Sequence, residues 1–125
     1  MTVRKILMIE DDPDIRRVAV MALKFKGGFE VVTADDGVDG LEKARAEKPD
    51  VILLDSMMPR MDGPETCRQL KADPELKNIP VVFLTAKSQK TEIEGGLDLG
   101  AIGYLVKPFD PMTLAEELKK LVEPL

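Results

Sequence analysis

The chain has 125 residues, of which 44% are hydrophobic and 33% charged, and its net charge is −5. This length suits one domain with its own core, over residues 1–125, and leaves no room for a second catalytic or DNA-binding domain. The acidic balance argues against direct nucleic-acid binding, which needs clustered Lys and Arg. The chain contains no His and a single Cys, Cys67. These counts exclude His-dependent nucleophilic catalysis, an internal disulfide and a structural zinc site.

The N-terminal segment MTVRKILMIEDD has an apolar run of only four residues, Ile6 to Ile9, before three acidic ones. That run is too short for a signal peptide or a membrane span. We therefore expect a cytoplasmic protein that does not insert into a membrane.

Short apolar runs alternate with helical patterns along the chain. This alternation is typical of βαβ units around a parallel sheet that helices cover on both faces. The pattern predicts five strands, at Lys5 to Ile9, Glu30 to Ala34, Val51 to Leu54, Val81 to Leu84, and Gly103 to Val106.

The first helix is expected to begin at Asp12–Pro13, because Asp caps free backbone N–H groups and Pro suits the first helical position. Gly27–Gly28 would end it. Five residues at helical spacing should face the core: Ile15, Val18, Ala19, Ala22 and Phe25.

Four further helices are predicted. The fourth contains Gly95–Gly96, and each glycine costs about 1 kcal/mol relative to Ala, so we expect that helix to be weak and mobile. The last should bury Leu114, Leu118 and Leu121. The four helices are expected from about Val38 to Glu47, from near Pro64, from roughly Gln89 to Leu99, and from Asp110–Pro111.

Polar side chains follow four of the five predicted strands. They are Glu10-Asp11-Asp12, Asp55, Thr85 and Lys107. The carboxyl ends of parallel strands share one edge of the sheet, where ligands bind. Alone, the acidic triplet fits a solvated turn with a helix cap about as well as a metal site. Asp55 favours the metal site, because carboxylates that converge repel one another and a hard divalent cation relieves this repulsion.

Four segments together carry a family resemblance. They are IEDDPD (Ile9 to Asp14), LLDSMMPRMDG (Leu53 to Gly63), FLTA (Phe83 to Ala86) and YLVKPF (Tyr104 to Phe109). Any one of them is a weak signal, but four in order at four strand ends are specific. By these segments the whole chain resembles the response-regulator receiver family of two-component signalling, in particular its single-domain chemotaxis type. The resemblance implies a doubly wound α/β fold with five parallel strands, five helices and the flavodoxin-like strand order 2-1-3-4-5.

The resemblance also implies the roles of the acidic residues. Asp55 matches the phosphoacceptor and Asp11 a direct Mg²⁺ ligand. Glu10 matches an acid that contacts the metal through water, and it replaces the more usual Asp. The backbone carbonyl of Met57 is expected to be a further metal ligand.

Three other residues are expected to contact the phosphoryl group. Thr85 would bond its oxygens through the hydroxyl, Ala86 through its backbone N–H, and Lys107 as a paired cation. Phosphoryl transfer depends mainly on positioning and on charge neutralisation, which these groups can supply. Lys107–Pro108 resembles the cis peptide of the family.

The predicted switch pairs Thr85 with Tyr104. When Asp55 is phosphorylated, the Thr85 hydroxyl is drawn inward and the Tyr104 ring moves into the vacated space, as a shift between two populated packings. The surface of helix four, strand five and helix five would carry the signal to a downstream effector protein. The expected donor is a histidine kinase or a histidine phosphotransfer protein. Whether phosphorylation drives formation of a homodimer is left open.

Two alternatives remain at this point. A Mg²⁺-dependent hydrolase that forms an aspartyl-phosphate commonly has a second Asp two residues after the nucleophile, where this chain has Met57. A module that only mediates protein contacts would not need Asp11, Asp55, Thr85 and Lys107 together. We therefore expect a phosphoacceptor domain and not an enzyme that turns over a separate substrate.

Overall fold

The computed structural model describes residues 2–58, 60–86 and 99–125, which contain a five-stranded sheet. All strand pairs are parallel, and the order is β2-β1-β3-β4-β5. The predicted fold class and strand order are therefore confirmed. The strands are β1 (Lys5–Ile9), β2 (Glu30–Ala34), β3 (Val51–Asp55), β4 (Val81–Ala86) and β5 (Gly103–Lys107).

The predicted bounds of β1 and β2 are correct, whereas β3, β4 and β5 extend one or two residues further than predicted. Asp55, Thr85 and Lys107 consequently belong to the strands and do not follow them. The hydrogen-bond ladder continues through these polar residues because each lies beside a neighbouring strand that is still paired.

The helices of the described residues are α1 (Pro13–Met21), which continues as a π-helical turn (Ala22–Lys26), α2 (Gly37–Glu47), α3 (Gly63–Ala72) and α4 (Leu114–Val122). None of them is both long and apolar enough to cross a bilayer. The helix predicted from Gln89 lies, as far as Asp98, outside the described residues. Helix α4 corresponds to the last predicted helix.

Acidic caps begin the first three helices. The side chains of Asp12, Asp36 and Asp62 accept hydrogen bonds from backbone N–H groups of the first turn. The predicted start of the last helix at Asp110 is wrong, because α4 begins at Leu114. Asp110 instead closes a tighter turn, in which its side chain accepts from the Met112 N–H at 2.8 Å.

The predicted core stripe of α1 is only partly correct. Ala19 and Ala22 are buried, but Val18 is 43% exposed and Phe25 is 81% exposed. The π-helical turn explains the exposure of Phe25, since its wider turn rotates the side chains within it about the helix axis. Leu23, in the same turn, is fully buried, whereas Val18 precedes the turn.

Two apolar layers sandwich the sheet, because alternate residues of each strand point to opposite faces. On one face α1, the π-helical turn and α4 cover Ile6, Met8, Leu53 and Leu84. On the other face α2 and α3 cover Leu7, Ile9, Leu54 and Phe83. Each fully buried Leu or Ile contributes about 1.5–3 kcal/mol, so the two layers hold the strand ends firmly in place.

Cys67 lies on α3 within the second apolar layer and is fully buried. Burial raises the pKa of its thiol. A neutral buried thiol suits a packing role for this residue.

Candidate functional site

Asp55 ends the central strand β3 and is 3% exposed. Its Oδ1 accepts a hydrogen bond from Lys107 Nζ at 2.9 Å. The backbone N–H of Met57 approaches the same oxygen at 3.5 Å. A carboxylate is thus held at the rim of the sheet with a cation beside it.

Lys107 ends β5, and its ammonium group contacts two acids. Its Nζ lies 2.9 Å from Glu10 Oε1 as well as 2.9 Å from Asp55 Oδ1. Burial by itself lowers the pKa of Lys107, but the close contacts of its ammonium group with the Asp55 and Glu10 carboxylates outweigh burial and raise the pKa overall. The side chain therefore carries a full positive charge at neutral pH. The Lys107–Pro108 peptide is cis, as the sequence resemblance implied.

Glu10 and Asp11 follow β1 and complete an acidic cluster. Carboxylate oxygens of Glu10, Asp11 and Asp55 all lie within 4.8 Å of one another. Glu10 is fully buried, whereas Asp11 is exposed. Burial, followed by the Asp55 carboxyl, raises the pKa of Glu10 to about 8, against the opposing influence of Lys107. In the absence of a cation, the buried cluster therefore disfavours the charged form of Glu10, even beside Lys107.

The acidic cluster suits a hard divalent cation. Among the described residues, Glu10 Oε1 is the buried side-chain oxygen or nitrogen that has no hydrogen bond, although Lys107 Nζ is close to it. Three carboxylates supply the all-oxygen donor set that Mg²⁺ prefers, and the exposed Asp11 leaves the cluster open to solvent. The residues present thus fit the predicted metal. Met57, whose carbonyl is the further predicted ligand, lies at the same rim with its side chain exposed.

Thr85 lies in β4 and is fully buried. Its hydroxyl donates to the Ala86 carbonyl at 3.3 Å and accepts from the Ser56 hydroxyl at 3.2 Å. Ser56 was not among the predicted site residues. The only signal was its position directly after Asp55, which does not reveal that its side chain reaches the neighbouring strand.

Tyr104 is the second residue of β5, three positions before Lys107 at the end of the strand. It pairs in register with Phe83, whereas Thr85 pairs with Val106. Because side chains two positions apart share a face of a strand, Tyr104 and Thr85 lie on the same face of the sheet. Tyr104 is partly buried there and packs against the layer that contains α2 and α3.

The start of α3 fits closely against the end of β3. The Gly63 N–H donates to the Ser56 carbonyl at 3.0 Å. A Cβ atom at Gly63 would lie 2.5 Å from the Asp55 carbonyl oxygen and 2.7 Å from Ser56 Cα. Gly63 and the N-cap Asp62 therefore form the turn that leads from β3 into α3. Pro59, a residue of a turn-favouring type in the same segment, lies outside the described residues.

An apolar groove of about 500 Å³ adjoins the cluster on the side of α1. Ile15 and Val18 of α1 form one wall, and Pro108 and Phe109 form the other. Lys107 also lines it. The groove therefore joins an apolar surface to the charged residues that surround Asp55.

Comparison with known proteins decides the family. Residues 6–119 match the model of the response regulator receiver domain. The chain belongs to this family. The geometry described above is thus that of a receiver domain, and the resemblance inferred from the four sequence segments is confirmed.

Relatives and solved structures agree with this assignment. The receiver domain is 39% identical over 119 residues to the alkaline phosphatase synthesis transcriptional regulatory protein PhoP of Bacillus subtilis, covering 95% of this chain and 48% of that protein. It is 41% identical over 118 residues to the response regulator MprA of Mycobacterium ulcerans, covering 94% and 50%. The chain thus spans about half the length of these relatives. The chemotaxis response regulator CheY4 of Vibrio cholerae superimposes with a TM-score of 0.87 at 36% identity, over 97% of this chain and 100% of that one.

Proposed function

We propose that this receiver domain is a phosphorylation-controlled switch in a two-component phosphorelay, and that it accepts a phosphoryl group on Asp55 in a Mg²⁺-dependent reaction. The observation that carries the proposal is the placement of the buried Asp55 carboxylate between the Lys107 ammonium and the carboxylates of Glu10 and Asp11. An isolated surface aspartate would have no need of this arrangement.

The reaction follows from the charges around Asp55. A carboxylate oxygen of Asp55 forms the new bond to phosphorus while the P–N bond to a donor imidazole breaks, and the bonding electron pair leaves with the imidazole nitrogen. The negative carboxylate can approach the negative phosphoryl group only where charge is offset, and Lys107 provides one positive charge at 2.9 Å. Mg²⁺, when bound, neutralises charge on the carboxylates and the phosphoryl oxygens. Asp11, Asp55 and the Met57 carbonyl would hold it directly, and Glu10 through water.

The switch follows from the single proton of the Thr85 hydroxyl. That proton is donated to the Ala86 carbonyl, and a hydroxyl has only one donor. A phosphoryl oxygen on Asp55 would compete for the same proton, with the Ala86 N–H as a second donor. The Thr85 side chain would then turn towards Asp55, and space would open on the face of the sheet where Tyr104 lies.

The partners follow from what the chain lacks and what it resembles. The 125 residues contain no His, so the phosphohistidine lies outside them, and the donor in this proposal is a histidine kinase or a histidine phosphotransfer protein. The signal would pass through the surface of the predicted fourth helix, β5 and α4 to a downstream effector. We place this exchange in the cytoplasm, without membrane insertion or direct contact with nucleic acid. In this proposal the domain assists only its own phosphorylation and dephosphorylation and is not an enzyme with a separate substrate.

The test is the intact mass of the protein after incubation with acetyl phosphate, or with phosphoramidate as a small P–N donor. One labile phosphoryl adduct is expected, which requires Mg²⁺ and is absent from Asp55→Asn. An adduct that persists in Asp55→Asn would assign the acceptor elsewhere. No adduct under excess donor would contradict the proposal in favour of a contact module, and donor consumption without an adduct would favour a hydrolase.

A further inference from the structure

Arg60, in the loop between β3 and α3, has a backbone conformation that is unfavourable for its residue type. Its φ is +70°, in the left-handed region. For a residue other than glycine this conformation costs on the order of 1–2 kcal/mol. Such residues persist where their surroundings enforce the conformation, often beside functional sites.

The Arg60 side chain forms an ion pair with Asp36, which directly follows the β2–α2 turn. The guanidinium Nη2 pairs with Asp36 Oδ2. The other carboxylate oxygen, Oδ1, accepts the Asp39 N–H at 2.8 Å and so caps α2. The Asp36 side chain is only 11% exposed, which favours a full set of partners for its charge. One carboxylate thus fixes the start of α2 and holds the β3–α3 loop.

The ion pair spans the metal-binding end of the sheet. Because β1 lies between β2 and β3, the loops that Asp36 and Arg60 occupy flank the end of β1, where Glu10 and Asp11 lie. The first residue of α2 also packs closely against the β3–α3 loop and α3. A Cβ atom at Gly37 would lie 2.4 Å from Thr66 Oγ1 and 3.0 Å from Met61 Sδ.

The β3–α3 loop is closed at its base and tied near its middle. The hydrogen bond from Gly63 N–H to the Ser56 carbonyl joins its two ends. Between them lie Met57, whose carbonyl is the predicted metal ligand, and Arg60. Because the base alone does not orient the peptide groups between the ends, a tie at Arg60 restricts how the Met57 carbonyl can turn.

We propose that Arg60 and Asp36 are positioning residues that hold the β3–α3 loop so that the Met57 carbonyl faces the acidic cluster. The inference rests on the proposed function, since it assigns the ion pair to Mg²⁺ binding by the same site. Neither side chain contacts the metal or the phosphoryl group. Loss of the ion pair therefore weakens Mg²⁺ binding and leaves the phosphorylation rate at saturating Mg²⁺ unchanged.

Two substitutions remove the ion pair with little other disturbance. Arg60→Gly deletes the guanidinium and suits the left-handed backbone, which glycine adopts freely. Asp36→Asn removes the charge but retains an oxygen that caps α2, since Asn caps helices about as well as Asp. Arg60→Lys keeps a positive charge opposite Asp36 and should therefore retain part of the Mg²⁺ affinity that Arg60→Gly loses.

A matched control is available at the opposite end of the same helices. Arg45 of α2 pairs with Asp73, the C-cap of α3, at 3.0 Å. Arg45→Gln breaks that ion pair, which also joins α2 to α3 but lies far from the predicted metal ligands. It should leave Mg²⁺ binding unchanged.

The experiment measures the Kd for Mg²⁺ alone by titration calorimetry, without a phosphoryl donor, and then the phosphorylation rate by acetyl phosphate against Mg²⁺ concentration. Arg60→Gly, Asp36→Asn and the double variant are each expected to raise the Kd about tenfold, the lower end of what the outer partners of metal ligands contribute. Phosphorylation should need more Mg²⁺ but reach the wild-type rate.

The outcomes separate this inference from the function on which it rests. If the wild type binds Mg²⁺ and the variants bind it equally well, the positioning role is wrong and the receiver chemistry stands. Additive effects in the double variant, or the same loss in Arg45→Gln, would also overturn the positioning role. If the wild type neither binds Mg²⁺ nor is phosphorylated, both proposals fail together.

Discussion

Lys107 Nζ lies 2.9 Å from Asp55 Oδ1, although 52 residues separate the two in sequence. They end β5 and β3, and β4 lies between these strands. The lysine therefore reaches across the end of a whole strand to Asp55. This contact depends on the fold and cannot arise from any local segment.

Lys107→Met should impair both the chemistry and the fold. Loss of the cation leaves Asp55 without its charged partner, and we expect phosphorylation by acetyl phosphate to slow on the order of 100-fold. The free energy of unfolding should fall by about 2 kcal/mol, as for a lost hydrogen bond to a charged group. Lys107→Arg is the control, since it keeps the charge but not the shape of the ammonium. Lys107→Arg should restore the free energy of unfolding more fully than the phosphorylation rate. Equal recovery of both would show that the shape of the ammonium group does not matter for the reaction.

Mg²⁺ should stabilise the wild-type protein, since it would bind only the assembled acidic cluster. At a concentration about ten times its Kd, the expected gain is about 1.4 kcal/mol in the free energy of unfolding. Glu10→Gln removes a fully buried acid whose charged form burial disfavours, and it should raise stability without Mg²⁺ while reducing the further gain with it. Urea denaturation with and without MgCl₂ measures both quantities. An equal Mg²⁺ gain in wild type and variant would exclude Glu10 from the metal site.

Gly63→Ala should displace Asp55, the proposed phosphoacceptor. The new Cβ would meet the backbone of Asp55 and Ser56 at 2.5 and 2.7 Å, and a backbone cannot yield as a flexible side chain can. We expect a loss of about 1–3 kcal/mol in the free energy of unfolding, typical of overpacking, together with slower phosphorylation. Gly40→Ala is a useful comparison because its Cβ would meet the side chain of Ile9. Gly40→Ala should be phosphorylated at about the wild-type rate. If Gly63→Ala were phosphorylated at that rate too, the close packing at Gly63 would not be needed for the reaction.

Asp73 should contribute to the acid sensitivity of the fold. The Glu75 N–H, and then Arg45, lower the pKa of Asp73 below its ordinary value of 3.8. The charged form thus adds stability above pH 3.8, and this stability is lost as the pH falls through the lower folded-state value. Asp73→Asn keeps an oxygen for the Glu75 N–H but not the charge. The free energy of unfolding of this variant should fall below that of the wild type most at neutral pH, and the difference should shrink in acid. Urea denaturation at several pH values measures this difference. A difference that does not change with pH would show that the charge of Asp73 does not stabilise the fold.

The sheet and most of the candidate site were predictable because their signals are local or lie in short motifs. Apolar runs such as Val51 to Leu54 predict strands, and the carboxyl ends of parallel strands share one edge of the sheet, which brings Glu10, Asp55 and Lys107 together. These three residues could be named from short motifs because the chemistry requires an acid or a cation at each position. The predicted strands ended too early because polar residues are poor strand signals, even where a paired neighbour continues the ladder.

The errors arose where tertiary context overrides periodicity. Phe25 fits a helical stripe in sequence, but the π-helical turn directs it to solvent. The Ser56–Thr85 contact and the Arg60–Asp36 ion pair join residues on different strands and loops. No spacing rule within one element could have found them, since each depends on which strands are neighbours.

The strand order also sets a length requirement on the cation opposite Asp55. Neighbouring strands are about 4.8 Å apart, so β5 lies roughly 10 Å from β3 at the rim. A short side chain at position 107 would end above β4, and only a long flexible one can bring its charge to Asp55. The distance between β3 and β5 therefore requires a long side chain at the end of β5, and lysine meets this requirement as well as supplying the positive charge.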